Sequence, residues 1–505
     1  MKKFIILALF SCMTLATRSN PLPVVDTSRI NGTLVLCVLT SDPWAGVEYG
    51  SLLGDRLFDV LENYVVNTAF GGAASYNYAR QIFDERFVVS EYYTEFAMHI
   101  IEGMGYSGFP IYSPTLGRDF TYQDILLANA IPDMTAFGLT QTTGPGCSDL
   151  MSWGEATAND PQLNGGMVIC RNLDWDDDPL LIENALITVW GNDNFNRRIV
   201  TFGFVGIIGA LSGMNDEGIA TFQNMGNYSS TPVGTGFYPV NLAQRDGLEH
   251  ADFNGDGICS PRDVTDAVRS HPMAATFIIN TIGPANLEFP AEILEIHNSF
   301  GDTLRTDMHN PEFFGDNLAS TNHFRLLKNP SYCARYNRIS DSIQTSTDFT
   351  IARNWRVSQT AGVSSNLQTI QFIPATKLLR FSMARPGTPA YQIEPTEVFM
   401  DGLPVSILEH PSKQQVVFSV APNPCRSQTK LTIAAATGDR ITIEISDANG
   451  NSIYTHHDVA KADGDYNVSW KTNNHPTGVY LCKVVVANNK TRKYVTGVQK
   501  ILVLK

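Results

Sequence analysis

Cysteine is scarce in this chain, with eight in 505 residues, and one of them, Cys12, lies in a leader-like amino terminus. The other seven, at positions 37, 147, 170, 259, 333, 425 and 482, are too few and odd in number, so no disulfide framework is implied. An odd thiol in an exported chain directs attention to a reactive one. Basic charge is also short: 36 Lys and Arg stand against 50 Asp and Glu, a formal net charge of -14. Phosphate binding needs concentrated Lys and Arg, so nucleic acid is excluded as the expected partner. Past the leader, no segment offers the roughly 20 uninterrupted apolar residues of a spanning helix, so the mature chain is expected to lack one. The run 199–214 comes closest, but its glycines and its length fit buried strands. No signature for binding a coenzyme phosphate is present, and no organic cofactor is expected.

An apolar content of 43% is ordinary for a globular protein, and the length suggests two or three domains. Lys2 and Lys3, an apolar run over 4–10 and small or polar residues through Ser19 read as an export signal over 1–19. Residues 9–12 loosely resemble a lipobox, but Phe10 is unusual there, so a lipid anchor is the weaker reading. Residues 20–410 read as a catalytic domain, 411–417 as a linker and 418–505 as a C-terminal domain. In the first of these, 46–69 and 82–104 have helical spacing, and short strands are expected at 33–40, 166–172, 185–190, 198–204, 207–212 and 218–225. Strands following helices suggest an α+β fold.

The most informative stretch is GPGCSDLMSWG around Gly146 and Cys147, followed by ICRNLDW over 169–175. Attack of the Cys147 thiol on the Gly146 carbonyl carbon would give a thioester that water hydrolyses, leaving Cys147 at a new amino terminus. One residue would then carry both nucleophile and base, since a thiol (pKa about 8.5) and an α-amino group (about 7.7–8.0) are each partly reactive at neutral pH. Arg171, always charged, would favour the thiolate, and Asp174 would hold the new ammonium group beside the sulfur. A spacing of three in a strand requires a bend or bulge if Arg171 and Asp174 are to share a face. Each feature alone has a plain structural explanation: a turn before a buried thiol, a surface ion pair, a side chain satisfying a turn. Their order along the chain favours a site.

These residues, with GMNDEGIATFQN (213–224), STNHF (320–324) and SYCARYNR (331–338), resemble the acyl-coenzyme A:6-aminopenicillanic acid acyltransferase family of N-terminal nucleophile hydrolases. Acid ceramidase and choloylglycine hydrolases are more distant relatives. The resemblance spans about 30–400 and implies an αββα sandwich, autocleavage between residues 146 and 147, and a linear amide bond as substrate. It implies Cys147 as nucleophile, Arg171 and Asp174 as its supports, Asn322 as the oxyanion donor, Arg335 as a second arginine near the site, and Asn224 as an added part of the oxyanion environment. The chain departs from several relatives in a longer segment between Cys147 and Arg171 and in Ser148, where threonine is frequent.

Within this domain an insertion at about 244–270 contains DFNGDGICSPRD (252–263). Asp252, Asn254, Asp256, the Ile258 carbonyl, Ser260 and Asp263 fall at positions 1, 3, 5, 7, 9 and 12 of an EF-hand loop, with Gly257 at the sharp turn. Asp263 replaces the usual glutamate, as in dockerin-like loops. A structural calcium ion is expected, and with a single loop no cohesin partner. The C-terminal domain has alternating strands at 430–434, 440–446, 452–456, 466–470, 478–487 and 500–504, which read as an immunoglobulin-like β-sandwich. Its APNP, DxxG and GxY motifs and closing KILVLK run resemble the sorting domain of the type IX secretion system, implying the secretion machinery as a partner and a secreted or cell-surface location.

The leading expectation is a secreted, self-processing cysteine amidohydrolase acting on small N-acyl amides. The alternatives are acyl transfer to an amine acceptor, a non-catalytic calcium-stabilised surface binding protein with the same fold, and an uncleaved cysteine hydrolase with His323 as base. The acyl group and the leaving amine are not legible in the sequence.

Overall fold

A computed structural model describes residues 25–504 apart from 142–145, 193, 195–196, 229–230, 251, 310–312, 314, 345–347, 404–417, 447–451 and 489–492. The stretches read as an export signal (1–19) and a linker (411–417), and most of the turn expected before Gly146, lie outside the described residues. The chain divides into two compact units, one over 23–407 and one containing 408–505.

Two β-sheets form the middle of the first unit. One has nine described strands, in the order Val25–Ile30, Thr33–Val38, Ala185–Asn192, Arg197–Phe204, Ser212–Asn215, Ala220–Met225, Phe277–Ile282, Ala291–His297 and Gly301–Arg305. The other has six: Asn317–Ser320, Ser148–Ser152, Val168–Asp174, Asn366–Ile373, Leu378–Met383 and Thr396–Phe399. Neighbours run antiparallel except Thr33–Val38 beside Ala185–Asn192, which are parallel. Period-two alternation explains how the sheets meet. Ile169, Ile370 and Phe372 of the smaller sheet and Val189, Phe202, Phe222 and Ile278 of the larger one share a single apolar core. Both outer faces are covered, so all seven residues of Val168–Asp174 are buried, as in any strand with two dry sides.

Helices supply those covers. Leu36, Leu186, Ile279 and Leu294, on the far face of the nine-stranded sheet, pack with Tyr49, Leu53, Phe96 and Val264 of the helices Ala45–Asp59, Glu91–Tyr106 and Pro261–Arg269. Leu150 and Ala319, on the far face of the six-stranded sheet, pack with Tyr336, Ile339, Ile343 and Val357 of Ala334–Gln344 and Ile351–Thr360. The layers are therefore helix, sheet, sheet, helix, an αββα sandwich as expected.

Three elements differ from the sequence reading. The stretch read as one helix over 46–69 is an α-helix, Ala45–Asp59, continuing as a ten-residue π-helix, Val60–Ala69. The pattern at 82–104 is two helices, Ala73–Arg86 and Glu91–Tyr106, broken where the Val88 N–H turns away to the Phe237 carbonyl. Residues 207–211 form no strand, because their amides are taken by other partners: Ile208 and Gly209 donate to Asn129 Oδ1 and Ala210 donates to the Asn241 carbonyl.

The described residues of the second unit form a sandwich of seven strands. Phe418–Ala421, Gln428–Ala435 and Gly464–Lys471 form one sheet, and Ser452–Val459, Arg440–Ser446, Gly478–Asn488 and Lys493–Val503 the other. Leu431, Ile433, Ile443, Ile445, Trp470 and Val484 fill the space between them. The last strand begins earlier than its apolar run, at Lys493, because it pairs along the whole length of Gly478–Asn488.

Candidate active site at Cys147

Cys147 sits immediately before the strand Ser148–Ser152, where the chain enters the six-stranded sheet, and is 1% exposed. Antiparallel pairing sets Ser148 opposite Asn172 and Asp149 opposite Arg171, so the strand carrying Arg171 and Asp174 runs beside the one that Cys147 leads into. Arg171, itself fully buried, reaches the sulfur with Nη2 at 3.5 Å. Its direction is fixed from the opposite sheet: Nη1 donates to Ser212 Oγ at 2.5 Å and Nη2 to the Gln223 carbonyl at 2.6 Å.

Asp174 acts on the main chain before the sulfur. Its carbonyl accepts the Gly146 N–H at 3.0 Å, while its carboxylate accepts from Asn366 Nδ2 at 2.9 Å and Arg335 Nη1 at 3.3 Å. Opposite Leu173 and Asp174 the register of the partner strand shifts between Asn366 and Gln368. Asn322 follows the strand Asn317–Ser320 and accepts the Cys147 N–H on Oδ1 at 3.0 Å. Its Nδ2 is anchored on the Met225 carbonyl at 2.7 Å. Arg335, in the first turn of Ala334–Gln344, bridges the Cys147 main chain and Asn322: Nη1 donates to the Cys147 carbonyl at 2.7 Å and Nη2 to Asn322 Oδ1 at 2.5 Å. A Cβ on Gly146 would lie 3.2 Å from Arg335 Nη1, so the guanidinium lies close over a residue without a side chain.

Five of the six residues singled out in the sequence, Cys147, Arg171, Asp174, Asn322 and Arg335, are thus joined in one hydrogen-bonded group. Asn224 is adjacent but differently engaged. Its Nδ2 donates to Asp149 Oδ2 at 2.6 Å and to Ser320 Oγ at 2.9 Å. Asp149 is the residue that sequence reasoning missed. It is buried between the sheets two positions beyond Cys147, where strand periodicity places it on the same face as Cys147, and it also accepts from Asn280 Nδ2 at 3.1 Å. His323 lies to one side, with Nε2 3.3 Å from Asn227 Nδ2.

The electrostatics are those of a dry site. Burial pushes the Cys147 thiol above its ordinary pKa, and the opposing pull of Arg171 does not overcome it. Burial likewise pushes Asp149 up to about 7 against Arg171, Asn224 and Ser320, and Asp174 up to about 7 against Arg335, Asn366 and Arg171. Arg171 favours the thiolate, as its charge led one to expect, but desolvation by burial outweighs it.

Cys147 and Arg171 open onto a cleft of about 770 Å³, counting its part open to solvent. Its walls are Val60, Leu61, Tyr64 and Val65 of the π-helix, Ile131 and Pro132, and Leu173, Trp175, Phe204 and Met225 from beyond Cys147. Trp175 Nε1 donates to the Tyr64 hydroxyl at 2.8 Å, tying the two halves of the wall together.

The loop 252–263 lies apart from this site in its interactions. Gly257 has φ +84° and donates its N–H to Asp252 Oδ2 at 2.9 Å, while Ile258 N–H goes to Asp256 Oδ1 at 2.8 Å. Asp263 caps the helix Pro261–Arg269, accepting from Ser260 N at 2.8 Å and from Phe253 N at 2.8 Å. The turn and the exiting helix fit an EF-hand loop. Among the described residues, however, no three acidic, His or Cys side chains are grouped as metal ligands.

Residues 419–497 match the family described as "Secretion system C-terminal sorting domain", so the second unit carries a sorting domain and the chain a mark of export. No curated protein matches the chain. Among solved structures it is similar to a Caenorhabditis elegans N-acylethanolamine-hydrolyzing acid amidase ortholog, at 15% identity over 45% of this chain and 93% of that one, with a TM-score of 0.35. It is also similar to two variants of the conjugated bile acid hydrolase from Clostridium perfringens. One is 10% identical over 50% of this chain and 92% of the other (TM-score 0.31). The second is 9% identical over 51% and 85% (TM-score 0.24). Among the described residues no helix is long and apolar enough to cross a membrane.

Proposed function

We propose that this chain is an exported cysteine amidohydrolase that cuts itself between Gly146 and Cys147 and then hydrolyses small N-acyl amides with a mainly apolar acyl group. The observation that carries the reading is the hold on the main chain on both sides of the Gly146–Cys147 bond: Asp174 holds the N–H of Gly146, Asn322 holds that of Cys147, and Arg335 holds the Cys147 carbonyl, with the thiol over an apolar cleft.

In self-cleavage the Cys147 sulfur would attack the Gly146 carbonyl carbon, the peptide C–N bond would break, and the thiol proton would pass to the departing nitrogen. Water would then hydrolyse the thioester, leaving a carboxylate on Gly146 and a free thiol and amine on Cys147. Arg335, close over Gly146, is suited to stabilise the oxyanion. In turnover the new amine takes the thiol proton and delivers it to the leaving amine of the substrate, while the acyl group passes to the sulfur and then to water. After cleavage Asn322 Oδ1 could still accept from the new Cys147 amine, and the Nδ2 hydrogen that the Met225 carbonyl does not take would serve as the oxyanion donor. Hydrolysis is favoured over transfer to an amine because water is the abundant acceptor outside the cell. The C-terminal domain supports export through the type IX route.

The loop 252–263 is proposed to take a structural calcium ion, which would draw Asp252, Asp256 and Asp263 away from their present backbone partners. A rise in the melting temperature on adding calcium, abolished by Asp252→Ala with Asp256→Ala, tests this; an unchanged melting temperature refutes it. Self-cleavage is tested by the masses and new amino termini of the purified protein, and amide hydrolysis by release of free acid from N-acyl amides.

A further inference from the structure

Two buried carboxamides interrupt the apolar wall of the cleft. Gln223 and Asn241 both line it, they are 5% and 0% exposed, and neither Gln223 Oε1 nor Asn241 Oδ1 has a hydrogen-bond partner among the described residues. A buried polar atom without a partner has lost the solvation it had in water, so each calls for a partner, and these two line a cleft that a ligand can enter.

The orientation of Asn241 is fixed by its neighbours. Asn129 Oδ1 accepts from the Ile208 and Gly209 amides at 2.9 and 3.3 Å, and Asn129 Nδ2 donates to the Ile125 and Gly206 carbonyls at 2.9 and 2.8 Å. Asn129 can therefore offer only its oxygen to Asn241, whose Nδ2 lies 3.4 Å from it. That leaves the Asn241 oxygen as the atom with nothing to bind. The backbone of Asn241 is pinned as well, since its carbonyl accepts the Ala210 N–H at 2.8 Å. Gln223 lies at the reacting end: its own carbonyl accepts from the same Arg171 Nη2 that reaches the Cys147 sulfur.

We infer that the acyl group taken by this cleft carries at least one hydroxyl on its otherwise apolar chain, with Gln223 and Asn241 as the acceptors that select it. An acceptor oxygen asks for a donor on the ligand, and a hydroxyl is the donor an apolar acyl chain can carry without a charge that this wall does not balance. A plain chain would bury both oxygens unpaired, and a site built for a hydroxyl discriminates strongly against the analogue lacking it. The inference rests on the amidase reading proposed above.

The test compares coumarin amides of palmitic acid, 2- and 3-hydroxypalmitic acid, stearic acid and 12-hydroxystearic acid on the purified full-length protein, after its Cys147 amino terminus has been verified. At least one hydroxylated chain should exceed its plain counterpart about tenfold or more in kcat/KM. In Asn241→Leu or Gln223→Leu that ratio should fall towards one. The wild-type comparison decides by itself, so a variant that fails to fold leaves the test intact. Plain chains hydrolysed as well as or better than hydroxylated ones would overturn the inference while leaving the amidase reading standing. No turnover of any amide by correctly cleaved protein would overturn both.

Discussion

At the residue scale the site sets one buried thiol among ionisable groups that burial has made reluctant to ionise. Asp149 and Asp174 are both pushed up to about 7 from an ordinary 3.8. A carboxyl whose folded pKa is raised binds its proton more tightly in the folded state than in the unfolded one. Stability is then fully retained below about pH 4 and lost progressively as pH rises towards 7, with a slope of roughly 1.4 kcal/mol per pH unit per group. Asp149→Asn should therefore flatten the fall in unfolding free energy between pH 4 and 7 and stabilise the protein at pH 8. Denaturant titrations at a series of pH values measure this directly, and an unchanged slope would contradict the burial of an ionisable Asp149. Cys147→Ala should abolish both cleavage and hydrolysis without loss of fold. Asn322→Ala should slow hydrolysis roughly 10²–10³-fold, the usual cost of an oxyanion donor. Gly146→Val should slow self-cleavage, because its first side-chain atom already meets the Arg335 guanidinium; the cleaved fraction against time reads it.

At the element scale the π-helix Val60–Ala69 matters most, since a run of ten such residues is rare and such geometry tends to occur at functional sites. It turns Val60, Leu61, Tyr64 and Val65 to the cleft. Filling the cleft with Leu61→Trp should raise KM for long-chain amides several-fold while self-cleavage, which needs no substrate, proceeds; equal KM values would show that the acyl chain lies elsewhere. This element was not legible in the sequence, because apolar spacing over 46–69 fits α- and π-geometry alike. The strand bearing Arg171 was legible from its apolar run, and the order of motifs along the chain singled out five residues that the fold joins in one hydrogen-bonded group. Asp149 was within reach of period-two counting from Cys147, but a carboxylate in a strand interior has no sequence signal until the strands that bury it are placed. The missing strand over 207–211 illustrates the same limit, since only the fold brings Asn129 and Asn241 to its amides.

At the scale of the whole molecule the chain is expected to act as two fragments that stay together. The cleft takes walls from both sides of the proposed cut, with Tyr64 bonded to Trp175 and apolar residues from before and after Cys147 in one core. The sandwich over 418–505, with its own core, carries the sorting signal. Removing residues 408–505 should leave self-cleavage and hydrolysis intact and abolish export from the producing cell; fractionation of culture and cells decides it. The measurement to make first is the intact mass and amino-terminal sequence of the purified protein beside its Cys147→Ala variant. Two co-purifying fragments, the larger beginning at Cys147 and both absent from the variant, are the expected result. A single uncut chain, folded and with Cys147 still inside it, would contradict the proposed function at its root.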